Sequence, residues 1–164
     1  MGRSAVIYLV RHAKAGERRV WDGDDVLRPL SKTGWKQSEA ISRRLSRQGV
    51  SSLYASPYVR CMQTLEPLGQ RVGLNVNPEQ RLFEDEPFEP VLDLLNEVDD
   101  GAVLCSHGDI IPTVIKALVR RGMQVETPAE WGKGSVWVLK RKGDRITRGK
   151  VWPPPKLSAK SVKK

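Results

Sequence analysis

Two histidines make up the whole imidazole content of the 164-residue chain, and both stand where a short apolar run ends: His12 in Val10-Arg11-His12-Ala13 and His107 in Cys105-Ser106-His107-Gly108. At the point where a buried strand gives way to a loop, an imidazole is placed to act as acid, base or nucleophile, and the repeated placement implies paired use in one site. Arg11 adjoins the first histidine. Arg60 falls in the first turn of a predicted helix that opens at Ser56-Pro57, where the N-terminal amides also favour an anion. Guanidinium forks match phosphate oxygens and a neutral imidazole can attack phosphorus, so Arg11, His12, Arg60 and His107 read as a phosphoryl-transfer site that needs no metal.

Other chemistries fit less well. Ser106, His107 and Asp109 have the composition of a hydrolytic triad, but neighbours on an extended chain point to opposite faces and cannot form one relay. The chain has no G-x-S-x-G elbow. Gly143 and Gly149 enclose five residues before Lys150-Val151, so both the spacing and the Ser or Thr of a phosphate loop fail. No Cys/His cluster has zinc-ligand spacing, and Cys61 and Cys105, both in apolar periodic segments, read as buried reduced thiols.

The elements that must position the site follow from the apolar pattern. Ala5–Val10 is a β-branched run bounded by charge, as expected of a strand buried on both faces, and residues 13–30 follow as a charged loop. Ser31 is the predicted N-cap of a helix running to about Gln48, with Ile41 and Leu45 inward and Gly49 as its stop. A strand over Ser52–Ala55 precedes the Ser56-Pro57 helix start, and Tyr58, Cys61, Met62, Leu65, Leu68 and Val72 recur at helical spacing. Weak strands are predicted at Leu74–Val76 and Arg81–Phe83, a third helix along Phe88–Val98, a strand at Ala102–Cys105, and a fourth helix through Ile111–Val119. Ser135–Lys140 and Arg145–Val151 form a terminal hairpin around Lys142-Gly143-Asp144. Such alternation predicts a three-layer α/β/α sandwich with a mostly parallel central sheet, in which ligands bind beyond the carboxyl ends of the strands, the place of Arg11, His12, Ser56 and His107.

A chain of this length can bury roughly 70% of its unfolded surface in one domain, enough for a rigid pocket without disulfides. Formal net charge is +9, from 28 Lys and Arg against 19 Asp and Glu. Four of the cations lie in residues 153–164, where Pro153, Pro154 and Pro155 followed by Lys, Ser and Ala predict a disordered extension to a domain over 1–152. That tail supplies solubility or a weak, salt-dependent attraction to nucleic acid and other polyanions. No apolar stretch approaches the roughly 20 residues of a membrane span, so a cytoplasmic protein without a membrane partner is expected.

Five motifs in order, Leu9-Val10-Arg11-His12-Ala13, Leu30-Ser31-x-x-Gly34-x-x-Gln37, Ser56-Pro57-x-x-Arg60-Cys61-x-Gln63-Thr64, Leu82-x-Glu84 and Ser106-His107-Gly108, resemble the histidine phosphatase (phosphoglycerate-mutase-like) superfamily. The resemblance spans about residues 5–120, and Ala13 after His12 with the short, insertion-free chain is most similar to the SixA-type phosphohistidine phosphatases. It implies the phosphoglycerate-mutase-like fold, no cofactor, and attack by His12 on phosphorus to give a phosphohistidine that water hydrolyses. Arg11, Arg60 and His107 would bind the transferring phosphoryl group. His12 must be neutral to attack; neighbouring guanidiniums disfavour imidazolium and so should depress its pKa, while phosphate binding pushes the other way.

Further assignments follow from the resemblance or from position. Glu84 matches the family's acidic position as proton donor, with Asp109 the next candidate. Lys14, Arg18 and Arg19 follow the nucleophile in a loop expected to overhang the pocket, where they would meet further phosphates or an acidic partner. Gly108 and Asp109 border the second histidine, and Ser56 caps its helix or contacts phosphate. Of Trp21, Trp35, Trp131, Trp137 and Trp152, Trp21 in the loop is the one placed for substrate stacking and the rest for packing. The expected activity is hydrolysis of a phosphomonoester or phosphohistidine protein. A nucleoside polyphosphate phosphohydrolase, a non-catalytic phosphate-binding signalling module and a nucleic-acid-associated protein remain as alternatives.

Overall fold

The sheet is built around β1 (Ser4–Arg11), which pairs in parallel with β4 (Ala102–Ser106) and antiparallel with β6 (Val136–Lys142). This computed structural model describes residues 4–157. Beyond β4 lie β2 (Ser52–Ala55) and then β3 (Val76–Pro78); beyond β6 lie β7 (Arg145–Trp152) and a two-residue β5 (Gln124–Val125), giving the order β3-β2-β4-β1-β6-β7-β5. The β3-β2-β4-β1 half is wholly parallel and β6 runs against its neighbours, so the sheet is mostly parallel as expected.

Alternation along β1 divides the core in two. Ile7 and Leu9 join a cluster with α3 (Glu89–Glu97), α4 (Ile111–Arg120), Leu104 and Trp137. Tyr8 and Val10 join a second cluster with α1 (Lys32–Leu45), α2 (Val59–Val72), Leu53 and Cys105. A strand whose successive residues are apolar on both faces requires a helical layer on each, which is the α/β/α sandwich. None of the helices among the described residues is long and apolar enough to cross a membrane.

Most element boundaries match expectation, with instructive exceptions. Ser31 caps α1, accepting the Gly34 N–H at 3.1 Å, although the helix ends at Leu45, before Gln48. The strand predicted at 81–83 is a 3-10 turn, Gln80–Leu82: Leu82 is fully buried, Phe83 packs only partly buried against Tyr58, and Arg81 is bound to Glu79 and Glu97. The strand expected at 74–76 is shifted to 76–78. Ser56 does not cap α2: that helix starts after Tyr58 with no side-chain cap, and the Ser56 hydroxyl is committed elsewhere. Trp137 is buried against Trp131, and Trp152 packs on Tyr8 beneath the Arg44 guanidinium, as hairpin packing predicts. Of the tail, 158–164 lie outside the described residues; within 153–157, Pro154 and Pro155 are half-buried, and a Cβ on Gly132 would fall 2.9 Å from the Pro154 ring.

Candidate active site

The carboxyl ends of β1, β2 and β4 bring the expected residues together. Parallel pairing sets Arg11 opposite Ser106, the His12 N–H donates to the Ser106 carbonyl at 3.1 Å, and the Ser56 N–H donates to that of Cys105 at 3.0 Å. His12 and His107 therefore emerge from adjacent strands with ring centroids 5.5 Å apart. Both are buried. Arg60 reaches them from the first turn of α2, itself 1% exposed and stacked over the Tyr58 ring at 4.6 Å.

Side-chain contacts engage one ring nitrogen of each histidine and leave the other open. His12 Nδ1 donates to the Ala13 carbonyl at 2.8 Å, an acceptor only, so Nε2 keeps its lone pair. Nε2 of His107 lies 2.8 Å from the Ser56 hydroxyl and 3.6 Å from the Cys61 sulfur. Nδ1 of His107 is a buried atom with no hydrogen-bond partner among the described residues, and it is the nitrogen that carries the proton when Ser56 donates to Nε2. Buried Nε atoms of Arg11 and Arg60 are likewise unpaired. Buried donors left unmatched cost about 1–3 kcal/mol each, and an anionic phosphoryl group is a ligand that relieves this.

Burial is the main reason both imidazoles stay neutral. It drives His12 down to about 3, with Arg60, Arg11 and Lys133 adding to it against the Ala13 hydrogen bond, and drives His107 down to about 3, with His12, Arg60 and Arg11 adding. The guanidiniums contribute in the expected direction, but desolvation dominates.

Motif residues without chemistry of their own hold this arrangement. Thr64 accepts the Ala13 N–H at 3.0 Å and donates to the Arg60 carbonyl at 2.6 Å, tying the end of β1 to α2. Gln63 accepts the Leu30 N–H, and Gln37 accepts the Lys14 N–H at 2.9 Å. Gly34 is required by contact: a Cβ there would fall 1.8 Å from the Lys14 carbonyl. A Cβ on Gly108 would lie 2.6 Å from the Arg11 guanidinium carbon, so a side chain there has to push that guanidinium aside.

Arg11, His12, Arg60 and Gly108 line a cleft of about 450 Å³ together with Lys14, Arg18, Arg28, Glu84, Asp109 and Lys133; His107 is buried against His12 and is not part of that lining. A slightly larger hollow of about 500 Å³ lies against α2 and β3, but Glu66 is the one ionisable side chain in its lining. Glu84 stands 3.4 Å from Arg60 Nη2 and 3.9 Å from His107 Nδ1, within the site. Asp109 accepts the Asp85 N–H at 2.9 Å and so pins the acidic loop, where Asp85 adopts φ 63°. Arg18 pairs with Glu84 and Asp25. Arg19 pairs with Glu17 and lies off the cleft lining, as does Trp21, whose indole donates to the Asp24 carbonyl.

Sequence reasoning missed three residues. Asp25 accepts from Arg60 Nη2 at 3.1 Å and from Arg28 Nε at 2.9 Å; burial would raise its carboxyl, but Arg28, Arg60 and Arg18 together hold it below the ordinary range. It lies in an aperiodic loop, and its only signal is the cluster Asp22, Asp24 and Asp25. Arg28 is buried, and Lys133 arrives from the loop before β6. Among the described residues no group of three or more His, Cys, Asp or Glu is arranged to hold a metal ion.

The sequence profile of the histidine phosphatase superfamily (branch 1) matches residues 7–86, a span that includes Arg11, His12, Arg60 and Glu84. The 8-oxo-(d)GTP phosphatase of Mycolicibacterium smegmatis is 34% identical over 156 residues, covering 91% of this chain and 48% of that protein. The chain spans about half the length of the curated relatives it matches, or less. Among solved structures, the protein histidine phosphatase SixA complexed with tungstate superposes with a TM-score of 0.68 at 21% identity, over 82% of this chain and 86% of that one. The mycobacterial glucosyl-3-phosphoglycerate phosphatase gives 0.65 at 20% identity over 91% and 97%. At these identities the likeness is one of fold.

Proposed function

We propose, from the superfamily profile matched over residues 7–86 and from the geometry of the cleft, that the chain is a histidine phosphatase, metal-independent and working through a phosphohistidine on His12. The observation that carries the reading is the state of His12. Its ring is buried and neutral, Nδ1 is held by Ala13, and Nε2 is left beside two guanidiniums.

Nε2 attacks the phosphorus of a phosphomonoester or phosphohistidine, the N–P bond forms, and the bond to the leaving group breaks. Arg11, Arg60 and the Nδ1–H of His107 meet the charge on the equatorial oxygens, which is the role a metal would otherwise fill. Water then attacks the phosphorus, the N–P bond returns its electrons to Nε2, and the proton from water passes to solvent. Glu84 is the carboxylate best placed to hand a proton to a poor leaving group, being the one beside both Arg60 and His107.

Replacing His12 by Ala should abolish hydrolysis of an aryl phosphate in the presence of a chelator while leaving the unfolding midpoint near that of the parent. Unchanged turnover would remove the mechanism.

A further inference from the structure

The phosphatase reading accounts for Arg11, Arg60 and the two histidines, yet the cleft holds more positive charge than one phosphoryl group needs. Its lining carries six cations, Arg11, Lys14, Arg18, Arg28, Arg60 and Lys133, against the carboxylates Glu17, Glu84 and Asp109, with Asp25 beside it pairing to Arg18, Arg28 and Arg60. Arg18 is matched by Asp25 and Glu84. Lys14 and Lys133 form no ion pair among the described residues.

These two lysines are not simply on neighbouring loose loops. The side-chain amide of Gln37 accepts the Lys14 N–H at 2.9 Å and donates to the Lys133 carbonyl at 3.3 Å, so one residue of α1 fixes both backbones to each other. Arg28 completes the group: buried, its Nε bonds Asp25 at 2.9 Å and its Nη1 bonds the Gly16 carbonyl, while Nη2 makes no hydrogen bond among the described residues. The ammonium of Lys133 is held below its ordinary pKa by partial burial, with repulsion from Arg11, Arg28, Lys14 and Arg60 adding to it. Like charges gathered by a dedicated tether are unfavourable until an anion joins them.

We propose that Lys14, Lys133 and Arg28 form a second anion subsite for a phosphate adjoining the one transferred, so that the substrate is a phosphoanhydride, a diphosphate or a longer chain. The inference rests on the phosphatase reading and names its substrate class. His12 Nε2 bonds to the terminal phosphorus, the bridging P–O bond breaks, and the bridging oxygen leaves with the second phosphate, whose charge the subsite meets. A leaving group that departs as a phosphate anion needs no proton at that step, which suits a site whose Glu84 is shared between Arg60 and Arg18.

The test compares kcat/KM of the parent, Lys14→Ala/Lys133→Ala and Lys133→Arg on inorganic pyrophosphate, a nucleoside diphosphate, an aryl phosphate and a phosphohistidine protein. The parent should favour the diphosphates. The double variant should lose about 10-fold more on them than on the aryl phosphate, chiefly through KM, with partial recovery in Lys133→Arg. Equal rates on pyrophosphate and the nucleoside diphosphate would confine recognition to the phosphates; a preference for the latter would assign the chain to a nucleotide. An equal loss on monoester and diphosphate, or a parent that prefers the monoester or the phosphohistidine protein, overturns the subsite alone. No hydrolysis of any of the four by the parent overturns the phosphatase reading and the subsite with it.

Discussion

The Ser56 hydroxyl lies 2.8 Å from Nε2 of His107, and that contact decides which nitrogen of the second histidine faces the phosphoryl group. Ser56 is fully buried at the end of β2, so it acts through the ring it touches. Ser56→Ala should lower kcat on an aryl phosphate about 10-fold and change the ring ¹⁵N signature of His107, because Nε2 loses its donor and the tautomer is released. Unaltered His107 shifts with a lowered kcat would mean the hydroxyl works by some other contact.

Both imidazoles are pushed down to about 3, mainly by burial, and the chain has no other histidine to obscure them. In the ligand-free protein neither ring should titrate between pH 8 and 5, which the two ring C–H signals report directly. Unfolded histidines take up protons near about 6.5. Between that value and 3 the unfolded chain therefore binds the more protons, so the stability contributed by the neutral rings is complete above about pH 6.5 and is lost as pH falls. Urea unfolding should show a decline of up to about 1.4 kcal/mol per pH unit for each ring in that window. A ring titrating near 6.5 in the folded state would contradict this account of the site.

Gly34 and Gly108 both sit in close contact, but against different partners. A Cβ at Gly34 meets the Lys14 backbone carbonyl, which cannot swing away, so Gly34→Ala should lose about 2–4 kcal/mol of unfolding free energy. At Gly108 the Cβ meets the end of the flexible Arg11 side chain. Gly108→Ala should keep its unfolding midpoint and lose about 10-fold or more in kcat/KM, because the guanidinium is displaced from the phosphoryl position. A folded, fully active Gly108→Ala would remove Arg11 from the site as described.

Much of the architecture was legible in the sequence because the signals were local and periodic. Ala5–Val10 and Ala102–Cys105 could only be strands covered on both faces, and a parallel sheet then carries Arg11, His12 and His107 to one edge. The roles that escaped depend on partners distant in sequence. Ser56 before Pro57 has the form of a helix cap, and only the approach of β4 to β2 turns its hydroxyl toward His107. Gln37 stood in a motif without any evident chemistry, and its amide gains a purpose once the loops bearing Lys14 and Lys133 meet over α1. Asp25 and Arg28 lie in a loop with no hydrophobic period, so nothing local marked them as neighbours of Arg60.

The central claim is that His12 carries the phosphoryl group during turnover. Mixing enzyme with a ³²P-labelled aryl phosphate and quenching in alkaline denaturant, which preserves phosphohistidine, should trap an acid-labile label that maps to the peptide bearing His12. The label should vanish in His12→Ala and persist in the Glu84→Gln variant. A label on any other residue, or full steady-state turnover with no labelled protein at any time point, would contradict it.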